Sequence, residues 1–340
     1  MSRWTPCLVG GTAEQISLGH PVVDEYLELV RARARRNTLL AAAYDLKVFF
    51  GVVRKDPLDV KTADVMAFIK AQRHDASSRV VRLADGASGL ALSTIKRRLS
   101  SVSGLYSYLL ATERVDRNPV PRGLVTRRLV SRHRSGTSLV RPARQLPRVL
   151  DPDDVVALIG ALRKWRDRAM VEAMVLGGLR RSEVLDLRFE DVRVGERRVF
   201  IADGKGGHQR LVPMSSRFFD TLAAYLDTER PTDAETDRVF VVLKGKRRGS
   251  PLTPKGLEEI LTAARKRAGL AHATCHELRH TCLTRLREAG MALEAVQAQA
   301  GHRSIASTRI YLHLANDWLA NEYRKASQAI EAQALMGSQQ

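Results

Sequence analysis

The chain has 340 residues, 44% of them hydrophobic but only 5% aromatic, which suits two domains of roughly 100–200 residues each with cores built on Leu, Val and Ala. A formal charge of +19 and a pI near 10.4, with arginine in excess of lysine, imply a polyanionic partner, nucleic acid above all, because guanidinium forks suit phosphate oxygens. No apolar run approaches the ~20 residues of a membrane span; the N-terminus MSRWTPCLVGG lacks a long apolar region before a cleavage site; and the irregularly spaced Cys7, Cys275 and Cys282 argue against a disulfide framework and for a reducing, cytoplasmic compartment.

Residues 1–20 read as irregular. From Pro21, Val23, Tyr26, Leu27 and Val30 recur at helical spacing. Asn37 or Thr38 can cap a second helix with Leu40, Tyr44, Val48 and Phe49, Thr62 a third, and Ser93 opens a fourth after a Ser- and Gly-rich loop over 75–89. Residues 21–116 are therefore expected to form a small helical domain. The segment 117–148 carries nine arginines, four prolines and no acidic residue; it reads as an extended basic linker, either a solvated loop or a strap along a phosphate backbone.

A second domain is expected over 149–332, with 333–340 as a tail. Asp151-Pro152-Asp153-Asp154 is a helix start, with an N-cap candidate, Pro at N1 and acids facing the dipole. Two helices run to Gly177-Gly178. RRVFIA and RLVPM flank the Gly-rich turn DGKGGHQ as a hairpin, DRVFVV reads as a short strand, and the remainder is helical with breaks at Gly269, Gly290 and Gly301. The expected class is mainly α with a small antiparallel sheet.

The stretch HELRHT, residues 276–281, admits two chemistries. His276, Glu277 and His280 spell HExxH, two zinc-binding histidines one turn apart with a glutamate base. Against that reading, Arg279 would place a guanidinium beside the dication, and the third ligand, for which Glu294 or His302 could be nominated, lacks its usual spacing. Alternatively His276 and Arg279 share a helix face at i, i+3 and belong with Arg180 in GGLRRSE, Lys205 in the hairpin turn, His302 in GHRS and Tyr311 in STRIYLH. Singly, each of these has a bland explanation: a surface arginine, a solvated lysine, a core tyrosine.

In order, however, GLRRSEVLDL, DGKGGHQRLVPM, HELRHT, AGHRS and TRIYLH resemble the boxes of the tyrosine recombinase (phage integrase) family. More loosely, the helix TIKRRLSSVSGLYSYL followed by NPV resembles the end of that family's core-binding domain, so the resemblance spans about residues 21–332. It implies a DNA-cutting and rejoining enzyme whose two domains close as a clamp on duplex DNA. Arg180 and Arg279 would hold the non-bridging phosphate oxygens by bidentate hydrogen bonds, and Tyr311 would be the nucleophile. A phenol with pKa near 10 lies about 4 kcal/mol from ionisation at pH 7, a cost that arginine charge and an acceptor such as His276 reduce. Lys205 would protonate the leaving 5′ oxygen, His302 would hydrogen-bond the phosphate, and Glu183 would orient His276 or an arginine. Glu277 and His280 would then be packing or supporting residues. The 3′-phosphotyrosine conserves the bond energy, so no ATP, metal or other cofactor is required.

Lys96, Arg97 and Arg98 are candidates for DNA contact, with a solvated basic face as the alternative. The amphipathic ANDWLANEYRKASQAI either docks on a neighbouring subunit, giving a homotetramer (or an assembly with a sister recombinase) on two DNA sites, or packs within its own chain. Too few residues precede Pro21 for an arm-binding domain, so a simple Xer-like or transposon-type recombinase is expected. A type IB topoisomerase-like nicking-closing enzyme and a vestigial DNA-binding protein are the alternatives.

Overall fold

The computed structural model describes residues 4–9, 16–74, 89–121, 139–140, 147–202 and 209–302, with 308, 324, 327 and 328. The chain divides into two compact units, Met1–Arg144 and Gln145–Gln340. Among the described residues the class is the expected one, helical with one small antiparallel sheet.

The first unit holds α1 (Pro21–Arg33), α2 (Arg36–Val53), α3 (Thr62–His74) and α4 (Leu92–Ala111). Pro21 starts α1 with its preset φ, and Asp24 accepts from Leu18 N at 2.7 Å and Ser17 Oγ at 2.8 Å. Leu27 and Val30 on α1, Leu39, Leu46, Phe49 and Phe50 on α2, Val65 and Phe68 on α3, and Ile95, Val102, Leu105 and Leu109 on α4 form one core. Two sequence expectations change here. The segment before Pro21 is not simply irregular: Val9 bridges Ser17, and Trp4 lies against Phe50 with ring centroids 5.0 Å apart. α2 begins at Arg36, with no side-chain cap from Asn37 or Thr38. Within the basic segment, Val120 and Val140 also enter the core.

The second unit is built on α5 (Pro152–Gly160), α6 (Trp165–Val175), α7 (Arg181–Asp186), α8 (Ser216–Thr228), α9 (Pro254–Arg267), α10 (Cys275–Glu288) and α11 (Leu293–Ala300). Residues Ala169 to Val175 are all buried, as befits a central helix apolar all round, and α6 packs on α8 and α10. The only charge in that run, Glu172, pairs with Arg217 at 2.8 Å. The sheet is β1 (Val192–Arg193), β2 (Arg198–Ile201) and β3 (Arg210–Pro213), in the order β1-β2-β3. Its register pairs Val199 with Val212 and Ile201 with Arg210. DRVFVV forms no strand; it holds isolated bridges, Arg188 to Arg238 and Val241 to Pro251, because its backbone alternates between partners rather than following one. α11 packs against β3, which brings the end of one motif box beside the hairpin of another.

Candidate active site

Three segments distant in sequence converge on one carboxylate. After the Gly177-Gly178 break, Arg180 occupies the N-cap position of α7, and Glu183 sits at its third residue. A short helix with Glu at N3 aims that carboxylate back at its own start, so Glu183 Oε2 accepts from Arg180 N at 2.9 Å and Oε1 from Arg180 Nη1 at 2.6 Å. From β3, Arg210 donates to both oxygens, Nη1 to Oε1 at 3.0 Å and Nη2 to Oε2 at 2.8 Å. From α10, Arg279 Nη1 stands 3.9 Å from Oε2. The Glu183 side chain is only 1% exposed. Burial pushes its pKa up, but the hydrogen bonds and charge of Arg210, with the backbone N–H and charge of Arg180, outweigh burial and hold it at about 2.

Arg279 is buried and fastened by backbone: it donates to Gly178 O and, at 2.5 Å, to Ala300 O. Arg180 Nη2 donates to Gly301 O at 3.1 Å. Both clamp candidates therefore grip the C-terminal end of α11, whose last carbonyls are free of helix partners and carry the negative end of the dipole. Gly301 closes that helix at φ +58°, and a Cβ there would lie 2.8 Å from Arg210 Nη1, so glycine is favoured by the left-handed backbone and by the room it leaves for Arg210.

The next residue, His302, faces Arg279, with Nε2 3.4 Å from Arg279 Nη2, and its Nδ1 is 3.0 Å from Thr308 Oγ1. A guanidinium can only donate, so His302 Nε2 accepts and Nδ1 carries the hydrogen that goes to Thr308. Burial, then the charges of Arg279 and Arg180, push the His302 pKa down to about 4, consistent with a neutral ring.

HELRHT opens α10. Thr274 caps the helix, and Glu277 completes a capping box: Thr274 Oγ1 accepts from Glu277 N at 3.2 Å, and Glu277 Oε2 accepts from Thr274 N at 2.9 Å. Glu277 is thus engaged in capping the start of the helix rather than poised as a base for HExxH. His276 and His280 meet edge-on, Nε2 to Nε2 at 2.8 Å. Burial, with the charges of His276 and Arg279, pushes His280 down to about 4. Among the described residues no three His, Cys, Asp or Glu side chains gather as metal ligands.

The structure thus brings together Arg180, Glu183, Arg279 and His302, with His276 on the same helix as Arg279. Lys205 and Tyr311 lie outside the described residues, as do Trp318, Leu319 and Tyr323 of the C-terminal helix. Arg210 was absent from the sequence-derived set. In the first unit, Lys96 is exposed. Arg97 Nη1 is 2.6 Å from the buried Asp45, Ser101 donates to the same oxygen at 2.9 Å, and Arg98 donates to Gln72.

Comparison with known proteins identifies the family. Residues 148–317 match the phage integrase family model. A tyrosine recombinase of Thermosipho africanus is 30% identical over 298 residues, covering 86% of this chain and 94% of that protein. Tyrosine recombinase XerC of Pseudomonas aeruginosa is 34% identical over 240 residues, 68% of this chain and 72% of that one. Among solved structures, the Tn1549 transposon integrase in complex with transposon right end DNA is similar in fold, with a TM-score of 0.66 at 18% identity over 90% of this chain and 99% of that one. XerH bound to its palindromic difH substrate gives a TM-score of 0.61 at 21% identity, over 87% and 83%. The chain therefore belongs to the phage integrase family, and it is a tyrosine-type site-specific DNA recombinase, an enzyme that breaks and rejoins DNA.

Proposed function

We propose that Arg180 and Arg279 clamp the scissile phosphate while Tyr311 attacks phosphorus. In this reading the phenol oxygen forms a P–O bond, the P–O5′ bond breaks, and the electron pair leaves on the 5′ oxygen. The phenol proton passes to His276, and Lys205 supplies the proton to the 5′ oxygen. The product is a 3′-phosphotyrosyl link and a 5′ hydroxyl. A 5′ hydroxyl from the partner strand reverses the step and exchanges the strands. With DNA bound, His302 hydrogen-bonds a phosphate oxygen by donating Nε2–H, in the tautomer whose Nδ1 accepts from Thr308 Oγ1, and Glu183 orients Arg180. The observation that carries this reading is the meeting of Arg180 and Arg279, 99 positions apart in the sequence, at one buried carboxylate beside His302. The two guanidiniums are pinned by main-chain carbonyls that cannot wander, so little reorganisation is left for the transition state.

The same reading takes duplex DNA as the partner, bound by dimers or tetramers as in the similar proteins crystallised on DNA, with the segment after Tyr311 joining subunits. It places the work in the cytoplasm; among the described residues no helix is long and apolar enough to cross a membrane. The test is covalent capture. Nicked duplexes of randomised sequence are incubated with the full chain, and SDS-stable adducts are recovered and sequenced. The selected duplex should yield a protein–DNA adduct, insensitive to chelators, that Tyr311→Phe abolishes while still shifting the same DNA in a gel. Adducts that persist in Tyr311→Phe would refute the assignment, and relaxation of supercoiled DNA without strand exchange would favour the nicking-closing alternative.

A further inference from the structure

We propose that Arg210 is a positioning residue for strand cleavage, which acts by occupying Glu183 so that Arg180 and Arg279 remain aimed at DNA. The inference deepens the clamp described above and rests on it.

A carboxylate offers about four lone-pair directions. In Glu183 all four are taken: Oε1 by Arg180 Nη1 and Arg210 Nη1, Oε2 by Arg180 N and Arg210 Nη2. Arg210 fills half of them, in the bidentate geometry that lysine cannot reproduce. Its Nε also donates to Gln299 O at 3.3 Å, and its guanidinium lies where a Cβ on residue 301 would fall. The side chain is 11% exposed. Three of its donors are thus spent on protein atoms, which suits holding a neighbour better than binding a phosphate.

Without Arg210, a carboxylate 1% exposed would keep only its Arg180 contacts. The nearest replacement donor is Arg279 Nη1, already 3.9 Å away. Swinging that group in would satisfy Glu183 and withdraw a clamp arginine from the phosphate. The other route is protonation of Glu183, since burial then acts with less opposition; the charged groups facing it are Arg180 from α7, Arg210 from β3 and Arg279 from α10, with His302 one contact further on Arg279. Either route loosens the clamp. Arg210 also ties β3, which follows Lys205 in the sequence, to the end of α11 that leads into His302.

The test uses the full chain and the duplex selected by covalent capture, with single-turnover adduct formation and gel-shift binding measured in parallel across pH 5 to 8. Arg210→Ala should lower cleavage on the order of 100-fold, the scale of a small misplacement of a positioned group, with DNA affinity changed less than about threefold. Its rate should fall more steeply toward pH 5 than that of the wild type, whose own acid limb from protonation of the acceptor His276 is common to both. Arg210→Lys should abolish that extra fall while recovering only part of the rate. In a Glu183→Gln background the Arg210→Ala change should cost little more, because its target is gone. Wild-type cleavage by Arg210→Ala, an equal loss at every pH with Lys no better than Ala, or full additivity with Glu183→Gln would each overturn the proposal, the last by indicating direct phosphate contact. If Arg210→Ala fails to fold by circular dichroism, the Lys variant and its double mutant decide by the same criteria. Failure of the wild type to form any adduct would instead strike the clamp itself, and this inference with it.

Discussion

Replacing Glu183 with Gln should destabilise the second unit by an amount that depends on pH in a defined direction. Its carboxyl moves from the ordinary 4.5 to about 2 in the folded chain. At about 1.4 kcal/mol per tenfold change in the proton equilibrium, that is about 3 kcal/mol of stabilisation from ionised Glu183. The folded pKa is depressed, so the stabilisation is fully present above 4.5 and is lost as pH falls toward 2. Near pH 3 roughly half remains. Glutamine removes the charge and leaves Arg180, Arg210 and Arg279 facing a neutral amide, which adds the cost of uncompensated buried cations. Urea unfolding of the full chain, followed by circular dichroism, should show a gap of about 3 kcal/mol or more between wild type and Glu183→Gln at pH 7, narrowing steadily below pH 4.5. A gap that stays constant down to pH 3, or a variant as stable as wild type at pH 7, would refute the reasoning that this carboxylate is held ionised by its arginines.

Gly301→Ala should lose on the order of 1–2 kcal/mol, from the left-handed φ of +58° together with the collision with Arg210. Because that collision moves Arg210 and the carbonyl held by Arg180, adduct formation should fall at least about tenfold, checked by thermal melts and covalent capture; a fully active variant would show that the end of α11 adapts. Asp45→Ala in the first unit removes a buried carboxylate that Arg97, Ser101 and, at 4.0 Å, Arg98 face. It should cost roughly 2–4 kcal/mol in urea unfolding, and a change under about 0.5 kcal/mol would show that exposed Arg97 contributes nothing measurable through this pair.

The catalytic candidates were legible because their chemistry is written in short local boxes: His276 and Arg279 are three residues apart on one helix, and Arg180 and Glu183 are three apart on another. What joins the boxes was not legible. Arg210 reads in RLVPM as one more basic residue in an arginine-rich chain. The ladder register shows otherwise. It pairs with Ile201, and Val199 pairs with Val212, so Arg210 lies on the strand face that carries the buried valines. An arginine on the apolar face of an alternating strand requires an acidic partner, which is the signal a sequence reading could have used. Its partner is 27 positions upstream, and its room is made by a glycine 91 positions downstream. The basic triplet on α4 shows the opposite limit. Lys96, Arg97 and Arg98 look alike in sequence, yet Asp45 on α2 engages Arg97 and Gln72 on α3 engages Arg98, while Lys96 and Arg97 are exposed and Arg98 is half-buried. The Gly177-Gly178 pair, read as the end of a helix, is also tightly placed: a Cβ on Gly177 would lie 2.2 Å from Met214 Sδ, and Gly178 O receives Arg279.

The charge count of the site bears on why one carboxylate is set among three arginines. Arg180, Arg210 and Arg279 carry three positive charges and Glu183 one negative charge, while His280 and His302 are pushed down to about 4 and are neutral near pH 7. Among the described residues the cluster therefore holds a formal excess of two positive charges. A phosphodiester brings one negative charge, but the pentavalent transition state concentrates a second on its equatorial oxygens. On the proposed clamp, ground-state DNA leaves one positive charge unmatched and the transition state matches it. Interactions that strengthen only at that point raise the rate rather than merely the affinity. A second carboxylate in the cluster would stabilise the unbound protein and remove this difference. A cluster without Glu183 would have three buried guanidiniums repelling one another, with only main-chain carbonyls to aim them. One carboxylate, held ionised by Arg210 from outside the clamp, is the arrangement that orients the two clamp arginines and still leaves the site short of negative charge.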